Sequence, residues 1–582
     1  MNLYVADFES TTTKEESHVW GYAICEVANT EKEKVIVGTR LDDFMKWCET
    51  NPNNCKIFIH NLKWDSQFII WWLLHNGFKH TKNRADRATK TFNTLISDKG
   101  FFYSIEVIFK LKGKTVNKVV FWDSQKLLPM SVEKIADTFK MPYRKLEIDY
   151  DAHNNLPIGS PLTKKEDDYI RHDVLIMAHA INFMLSQGLD RMTIGSCALA
   201  EYKKLIGKRK FDLLFPVLKH DRDIRQSYKG GFTYVNPEFA GKTVKNGVVM
   251  DVNSLYPYVM KTAKLPFGVP IFFKGEYKPD ELYPLYTQMF QCQFDLKPGK
   301  IPMVQVKHSM FFKGNEYLTS SNDEIVVMCM NNIDFQLFLE NYNVYNLEFH
   351  SGWKFKGAVG LFDEYIDKWN AIKIKAKEDK NWGLYLLAKL MLNALYGKFG
   401  TGTIVKSKYP ELTSDDVVHY KDSKPEQRDG IYVAMASFIT SYARHKTITA
   451  AQKIMDDYNA GKSNIQFAYA DTDSLHCISP DFTLPEGLEI DDTKLGAWKF
   501  ESKFTRGKFL RQKCYIEEST DDVYNPKPEY KLKVTVAGMP EYCTEQVTFQ
   551  NFKFGATYKD KKQPEIVKGG VILKNIDFTI KK

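Results

Sequence analysis

Carboxylates at short, regular spacings are the most chemically suggestive feature of this chain. Asp7 and Glu9 lie two apart in the β-type run LYVADFE, and strand alternation points both to one face of a sheet. Two anions on one face repel unless a cation lies between them, which a hard, oxygen-ligated ion of the Mg²⁺ class would resolve. A further carboxylate, Asp65, follows the apolar run CKIFIHN. Tyr169 and Asp173 are four apart on the helical pattern DDYIRHDVLIMAHAINFML, and therefore on one face. A lone D-x-E is commonly surface charge. Three or four acids with a phenol to orient water are the parts of a two-metal phosphodiester hydrolase.

A second group lies further along. Asp251 ends the apolar strand GVVM and opens D-V-N-S-L-Y-P, where the chain turns so that backbone and Tyr256 face a pocket. In K-L-M-L-N-A-L-Y-G-K-F, Lys389, Asn393 and Tyr396 share one helix face at about 3.6 residues per turn. A cation, an amide and an aromatic on that stripe suit triphosphate and base contact. Leu387, Met391 and Leu395 lie opposite and are assigned to core packing. Asp471-Thr472-Asp473-Ser474 interrupts the runs IQFAYA and LHCIS and reads as a hairpin tip. In Tyr228-Lys229-Gly230-Gly231-Phe232 the glycines allow close backbone approach and the tyrosine can bond a phosphate.

These residues need elements to position them. Residues 1 to about 190 alternate short β-type runs with helical stretches, the pattern of an α/β domain. The charged stretch at 208–224 reads as a connector. Beyond it, irregular segments at about 263–361 and 401–434 separate the motifs, and loops that long are usually functional or small subdomains. The 582 residues predict three to five compact units. With 81 Lys+Arg against 72 Asp+Glu the net charge is +9, which suits a polyanionic partner. The nine cysteines form no C-x-x-C pair, so neither a zinc ribbon nor a redox motif is expected, and reduced thiols are. The start MNLYVADFES has no signal-peptide pattern. The most apolar run, Phe68 to Leu74, is far short of the about 20 residues of a membrane span and reads as a core helix.

Taken together, the N-terminal acids resemble the exonuclease domain of proofreading DNA polymerases, an RNase H-like fold. By position the resemblance makes Asp7, Glu9, Asp65 and Asp173 metal ligands and Tyr169 the water-orienting residue. Lys145 stands at the place of a supporting lysine. Asn61, Phe68, Ser124 and Tyr150 fall where the family grips a single-stranded 3′ end. Phe68 would stack on a base, or else serve as a core aromatic of its apolar helix.

D-V-N-S-L-Y-P resembles the first polymerase motif of family B DNA polymerases. That makes Asp251 a ligand of both catalytic metals, Val252 a carbonyl donor to one of them, and Tyr256 a steric gate against a ribose 2′-OH. With Lys389, Asn393 and Tyr396, Lys373 is expected at the incoming nucleotide. Asp473 joins Asp251 in holding the ions directly, with Asp471 as a further acidic partner. Tyr228, Gly230 and Gly231 resemble the element that shifts primer ends between synthesis and editing, and Lys513-Cys514-Tyr515 resembles the K-x-Y that holds the primer terminus.

The resemblance covers nearly the whole chain and is strongest to the protein-primed branch of family B, from tailed bacteriophages with linear, terminal-protein-capped genomes. The resemblance implies an α/β and α+β multidomain fold. An exonuclease domain at 1–190 would precede a right-hand polymerase at 191–582, its palm at 191–262 and 435–536 and its fingers at 362–400. The thumb would be 537–582, with a terminal-protein-region insertion at 263–361 and a second insertion at 401–434 that closes around the duplex and helps open DNA downstream. It further implies two Mg²⁺ per site (Mn²⁺ as a substitute), primer–template DNA and deoxynucleoside triphosphates as substrates, and strand-displacing, processive synthesis. A terminal protein would serve as primer in a heterodimer, in the host cytoplasm; nothing demands more than a monomer otherwise. The alternatives are a family B enzyme using conventional nucleic-acid primers, a pure exonuclease with a DNA-clamping C-terminal half, and a non-catalytic nucleic-acid-binding protein.

Overall fold

The computed structural model of the chain describes residues 2–12, 15–51, 54–113, 115–306 and 311–582. Its N-terminal part is an eight-stranded mixed sheet. The central strands Asn2–Ser10, Cys55–Ile59 and Thr115–Asp123 run parallel, flanked by antiparallel neighbours. Helix Lys164–Ser186 packs across the strands Asn2–Ser10 and Val19–Glu26. A full capping box starts it, Thr163 bonding the Glu166 amide while the Glu166 carboxylate bonds back. Helix Leu62–His75 covers the other side, with Phe68, Ile69, Ile70 and Leu73 buried, as expected of the apolar run.

A second sheet, of seven strands, is wholly antiparallel. In spatial order it runs Lys531–Val536, Cys514–Thr520, Trp498–Arg511, Thr243–Val252, Ser474–Ile478, Gln466–Asp471 and Thr233–Val235. The 27-residue helix Val433–Asn459 packs against it. Its residues from Val433 through Ser441 are continuously buried, which is why no one-sided periodicity marks them. The helical pair Asp363–Glu378 and Trp382–Phe399 packs on helix Ile194–Ile206, and its second helix also meets helix Val433–Asn459. An α/β part followed by an α+β part is the architecture the sequence leads one to expect.

Two segments are more regular than their sequences suggest. Residues 263–361 hold a four-stranded antiparallel sheet and the helix Asn332–Asn341. Strand Leu265–Lys274 carries Pro266 and Pro270 and lies at the sheet edge, where a missing N–H is tolerated. The stretch at 208–224, read as a connector, is itself structured. It forms the helices Lys208–Leu214 and Asp221–Arg225, and buries Phe211, Phe215, Leu218 and Ile224 in the main core; Lys208, Arg209, Lys210 and Arg222 stay outside, while Asp221 is buried and paired with Arg225. Residues 401–434 form two small two-stranded ladders. At the C-terminus, hairpin Thr557–Val567/Gly570–Thr579 reaches back to helix Leu62–His75. All nine cysteines are free and buried. No described helix is long and apolar enough to cross a membrane.

Candidate active sites

The first acidic centre sits where strand Asn2–Ser10 meets helices Leu62–His75 and Lys164–Ser186. Ligand-capable atoms of Asp7, Glu9 and Asp173 lie within 4.8 Å of one another. Asp65 joins them through helix geometry, and its Oδ1 accepts the Phe8 backbone N–H at 3.2 Å. Asp7 is pushed up to about 7, first by burial and then by the neighbouring Asp173. Burial, and after it Asp7, also raises Glu9 and Asp65. Asp173 Oδ1 is buried with no hydrogen-bond partner among the described residues. Crowded, desolvated carboxylates with a spare buried oxygen are what a bound cation would satisfy, so the donor set fits a hard divalent ion.

Lys145 supports this cluster. Its ammonium pairs with Asp173 and donates to the Tyr169 hydroxyl at 3.0 Å. Burial pulls the Lys145 pKa down, but Asp173 outweighs it and holds the lysine charged. The Tyr150 and Tyr169 hydroxyls lie 3.2 Å apart. Burial keeps the Tyr169 phenol firmly protonated. A cavity of about 310 Å³ is lined by these groups together with Asn61 and Trp64. Glu9, Asn61, Trp64 and Tyr150 are also walls of a cleft of about 1150 Å³ that reaches Lys562, Pro564, Leu573 and Lys574 of the C-terminal hairpin.

Two expected strand-gripping residues lie elsewhere. Phe68 is fully buried, and a Cβ on Gly570 would overlap its ring. One helical turn beyond Asp65, it is capped by the C-terminal hairpin and cannot meet a base. Trp64, in the same run, faces both cavities, as Tyr150 does. Ser124 is also buried, its hydroxyl 3.1 Å from His60 Nδ1. It anchors the loop of Asn61, an exposed residue with φ 66° whose N–H donates to Asp123 Oδ1 at 3.2 Å.

The second centre lies at the end of strand Thr243–Val252. Asp251 pairs in register with Ser474, and the buried Val252 donates its N–H to Asp473 O at 2.8 Å. Thr472 turns the hairpin with φ 63°. Asp251 is pushed up to about 8 by burial, then by Asp473 and Glu501, with Lys389 opposing. Asp473 is raised as well, first by burial. Glu501 has no signal in the sequence. The strand pairing jumps from Val249↔Ser502 to Met250↔Phe500, so Glu501 is the extra residue of a bulge beside the two acids. Asp471 is braced instead, accepting from Lys513 Nζ at 2.6 Å and from Thr233 Oγ1 and the Tyr469 hydroxyl at 3.3 Å.

Around these acids the helical pair presents its polar stripe. Lys389 and Asn393 are exposed, while Leu387, Met391 and Leu395 are fully buried. Tyr256 and Tyr396 stack at 4.0 Å. Lys373 donates to Ser254 Oγ at 3.1 Å, whereas Lys368 is turned outward onto Glu201 at 2.5 Å. Burial lowers Lys373, and Lys389 adds to the effect. The Tyr228–Gly231 element abuts the hairpin. A Cβ on Gly231 would come within 2.8 Å of Thr472, and the Thr472 N–H donates to Phe232 O at 2.6 Å. Arg444, buried and paired with Asp334, donates to the carbonyls of Lys229 and Gly230 at 2.8 and 2.6 Å, a support the sequence did not reveal. Tyr515 is 7% exposed and packs inside the sheet, so its ring is not a free surface for DNA.

Comparison with known proteins is consistent along the whole chain. The family model of DNA polymerase type B, organellar and viral, matches residues 46–161 and 157–486. The DNA polymerase of Bacillus phage phi29 is 42% identical over 595 residues, covering 100% of this chain and 99% of that protein. The DNA polymerase of Streptococcus phage Cp-1 is 32% identical over 601 residues, covering 99% and 98%. Among solved structures, phi29 DNA polymerase complexed with primer-template DNA and incoming nucleotide substrates superposes with TM-score 0.92 at 41% identity, covering 100% of both chains. The same polymerase complexed with single-stranded DNA gives 0.90 at 39%, again over 100% of both.

Proposed function

The chain belongs to the type B DNA polymerases of the organellar and viral group, and from that premise we propose how its two acidic centres divide synthesis from editing. It is a DNA-directed DNA polymerase. The observation that carries the assignment of the synthetic centre is the main-chain junction that sets Asp251 beside Asp473.

At that centre Asp251 and Asp473 would hold two divalent cations, Mg²⁺ or Mn²⁺, with the Val252 carbonyl as a further donor. Glu501 adds negative charge to the same pocket. Cations held by Asp251 and Asp473 would supply the positive charge that lowers the pKa of a primer 3′-hydroxyl and offsets the charge of a departing pyrophosphate. Lys389 and Lys373 receive the triphosphate, and Asn393 reads the edge of the nascent pair. The stacked Tyr256 and Tyr396 rings form a floor under the sugar on which a 2′-hydroxyl would collide. Asp471 acts through Lys513, holding it toward the primer end rather than ligating metal. Tyr228, Gly230 and Gly231 guide the primer strand between the two centres.

At the editing centre Asp7, Glu9, Asp65 and Asp173 hold the ions and Tyr169 orients the attacking water. Lys145 keeps Asp173 and Tyr169 in place. Asn61, Trp64 and Tyr150 grip the frayed 3′ end, which enters through the cleft under the C-terminal hairpin.

The seven-stranded sheet serves as the palm, the helical pair at 362–400 as the fingers, and residues 537–582 as the thumb. The four-stranded insertion at 263–361 meets a terminal protein that supplies the priming hydroxyl in a heterodimer. The ladders at 401–434 close around the duplex and help part the strands downstream, and the setting is the cytoplasm of a phage-infected host. Full-length similarity to phage polymerases supports these assignments. The test is extension of a primer on a small single-stranded DNA circle with Mg²⁺ and deoxynucleotides but neither helicase nor clamp. Products many circle-lengths long are expected. Products that stop after one turn would remove the displacement assignment, and no extension would remove the synthetic centre.

A further inference from the structure

Strands Ser474–Ile478 and Cys514–Thr520 belong to one sheet but are separated by two others. In a flat sheet three ladder steps would put them about 14 Å apart. Yet the His476 Nδ1–H donates to Glu517 Oε1 at 2.7 Å. The sheet therefore curls into a half-barrel, and the pair bridges its interior. Inside the curl Tyr469, Tyr515 and Phe509 surround the imidazole at centroid distances of 5.2, 5.1 and 5.7 Å. His476 is 2% exposed and Glu517 0%. The second carboxylate oxygen, Glu517 Oε2, has no hydrogen-bond partner among the described residues.

Fold stability is a poor reason for this arrangement. A half-satisfied carboxylate among aromatic rings is usually less favourable than an apolar residue of the same size. Its position offers a better one. His476 follows Asp473 by three residues, and its Nε2 lies 3.5 Å from Ser474 Oγ, the residue in register with Asp251. Glu517 lies on the strand that begins just after Lys513. Lys513 itself pairs with Asp471 at 2.6 Å and donates its backbone N–H to the Tyr469 hydroxyl at 2.9 Å.

We propose that His476 and Glu517 are positioning residues for synthesis: the pair braces the D-T-D hairpin against the strand Cys514–Thr520 that follows Lys513, and so fixes the primer end relative to Asp251 and Asp473. The proposal rests on the reading of that centre as the polymerase site.

The test compares the full-length wild type with Glu517→Leu and Glu517→Gln in two assays. One is primer extension, with kcat and nucleotide KM; the other is degradation of single-stranded DNA. Glu517→Leu removes the acceptor at similar volume and is expected to lower extension kcat about tenfold, as a small misplacement does. Nucleotide KM and single-strand degradation should stay within about twofold. Glu517→Gln can still accept the Nδ1–H and should recover extension to within about threefold of wild type. Wild-type extension by Glu517→Leu would overturn the proposal. So would a parallel fall of both activities, or a Glu517→Gln enzyme no better than Glu517→Leu. A wild-type chain that degrades single strands but extends no primer would overturn the polymerase reading and this proposal with it.

Discussion

The Val252 backbone amide donates to the carbonyl of Asp473 at 2.8 Å, locking the end of one strand to the tip of a hairpin from a distant part of the chain. Two carboxylates are thus juxtaposed by main-chain bonding rather than by flexible side-chain contact. Such rigidity matters because charges held close in a desolvated site strain the protein until a counter-charge arrives. A bulge then turns Glu501 toward the same point.

Trp64 and Phe68 should separate cleanly. Trp64→Ala is expected to weaken single-stranded DNA binding by about 1–3 kcal/mol, the worth of one stacked base, with little change in melting temperature. Phe68→Ala empties a fully buried site against Gly570 and should destabilise the fold by about 3–5 kcal/mol. Fluorescence titration with an oligonucleotide and thermal melting of both variants check this.

Metal removal should make stability fall with rising pH. Asp7 is raised from 3.8 to about 7 in the fold, so between those values the native state holds a proton that the unfolded chain has lost. Native stability from this group is full below pH 4 and is lost as pH rises through 7. In EDTA the melting temperature should drop on the order of 5 °C between pH 5 and 8. Excess Mg²⁺ should restore it, and Asp7→Asn with Glu9→Gln should flatten the dependence. Differential scanning fluorimetry reads each case.

Proton competition at the synthetic centre should appear in cation affinity. Asp251 is pushed up to about 8, so a proton must leave before it can ligate, and Mn²⁺ binding should tighten as pH rises from 6 to 8 and level off above. Glu501→Gln removes one of the charges that raise Asp251, so the levelling should move to lower pH. Calorimetric titration in an Asp7→Asn/Glu9→Gln background isolates this centre.

The motifs were legible because their geometry is local. Alternation placed Asp7 and Glu9 on one face, helical spacing placed Lys389, Asn393 and Tyr396 on one stripe, and D-T-D fell at a hairpin tip. Features decided by distant contacts were not legible. Trp64 and Phe68 are both aromatic on one helix, and only the returning C-terminal hairpin determines which is covered. Ser124 looked available until His60 and the strand end enclosed it. Glu501 depends on a pairing irregularity that no spacing records. The sheet within 263–361 was hidden by prolines tolerated at its edge and by apolar residues left exposed there, Val269, Ile271 and Phe272, which break the usual alternation of buried apolar and open polar positions.

The most direct test of two separate carboxylate centres is a crossed comparison of Asp473→Asn and Asp173→Asn with Mg²⁺ present. Each variant is assayed for primer extension and for degradation of a single-stranded 3′ end. Asp473→Asn should lose extension by at least about 10³-fold and keep degradation, while Asp173→Asn should lose degradation by a similar factor and keep extension. Loss of both activities in either variant, or of neither, would contradict the division of labour described above.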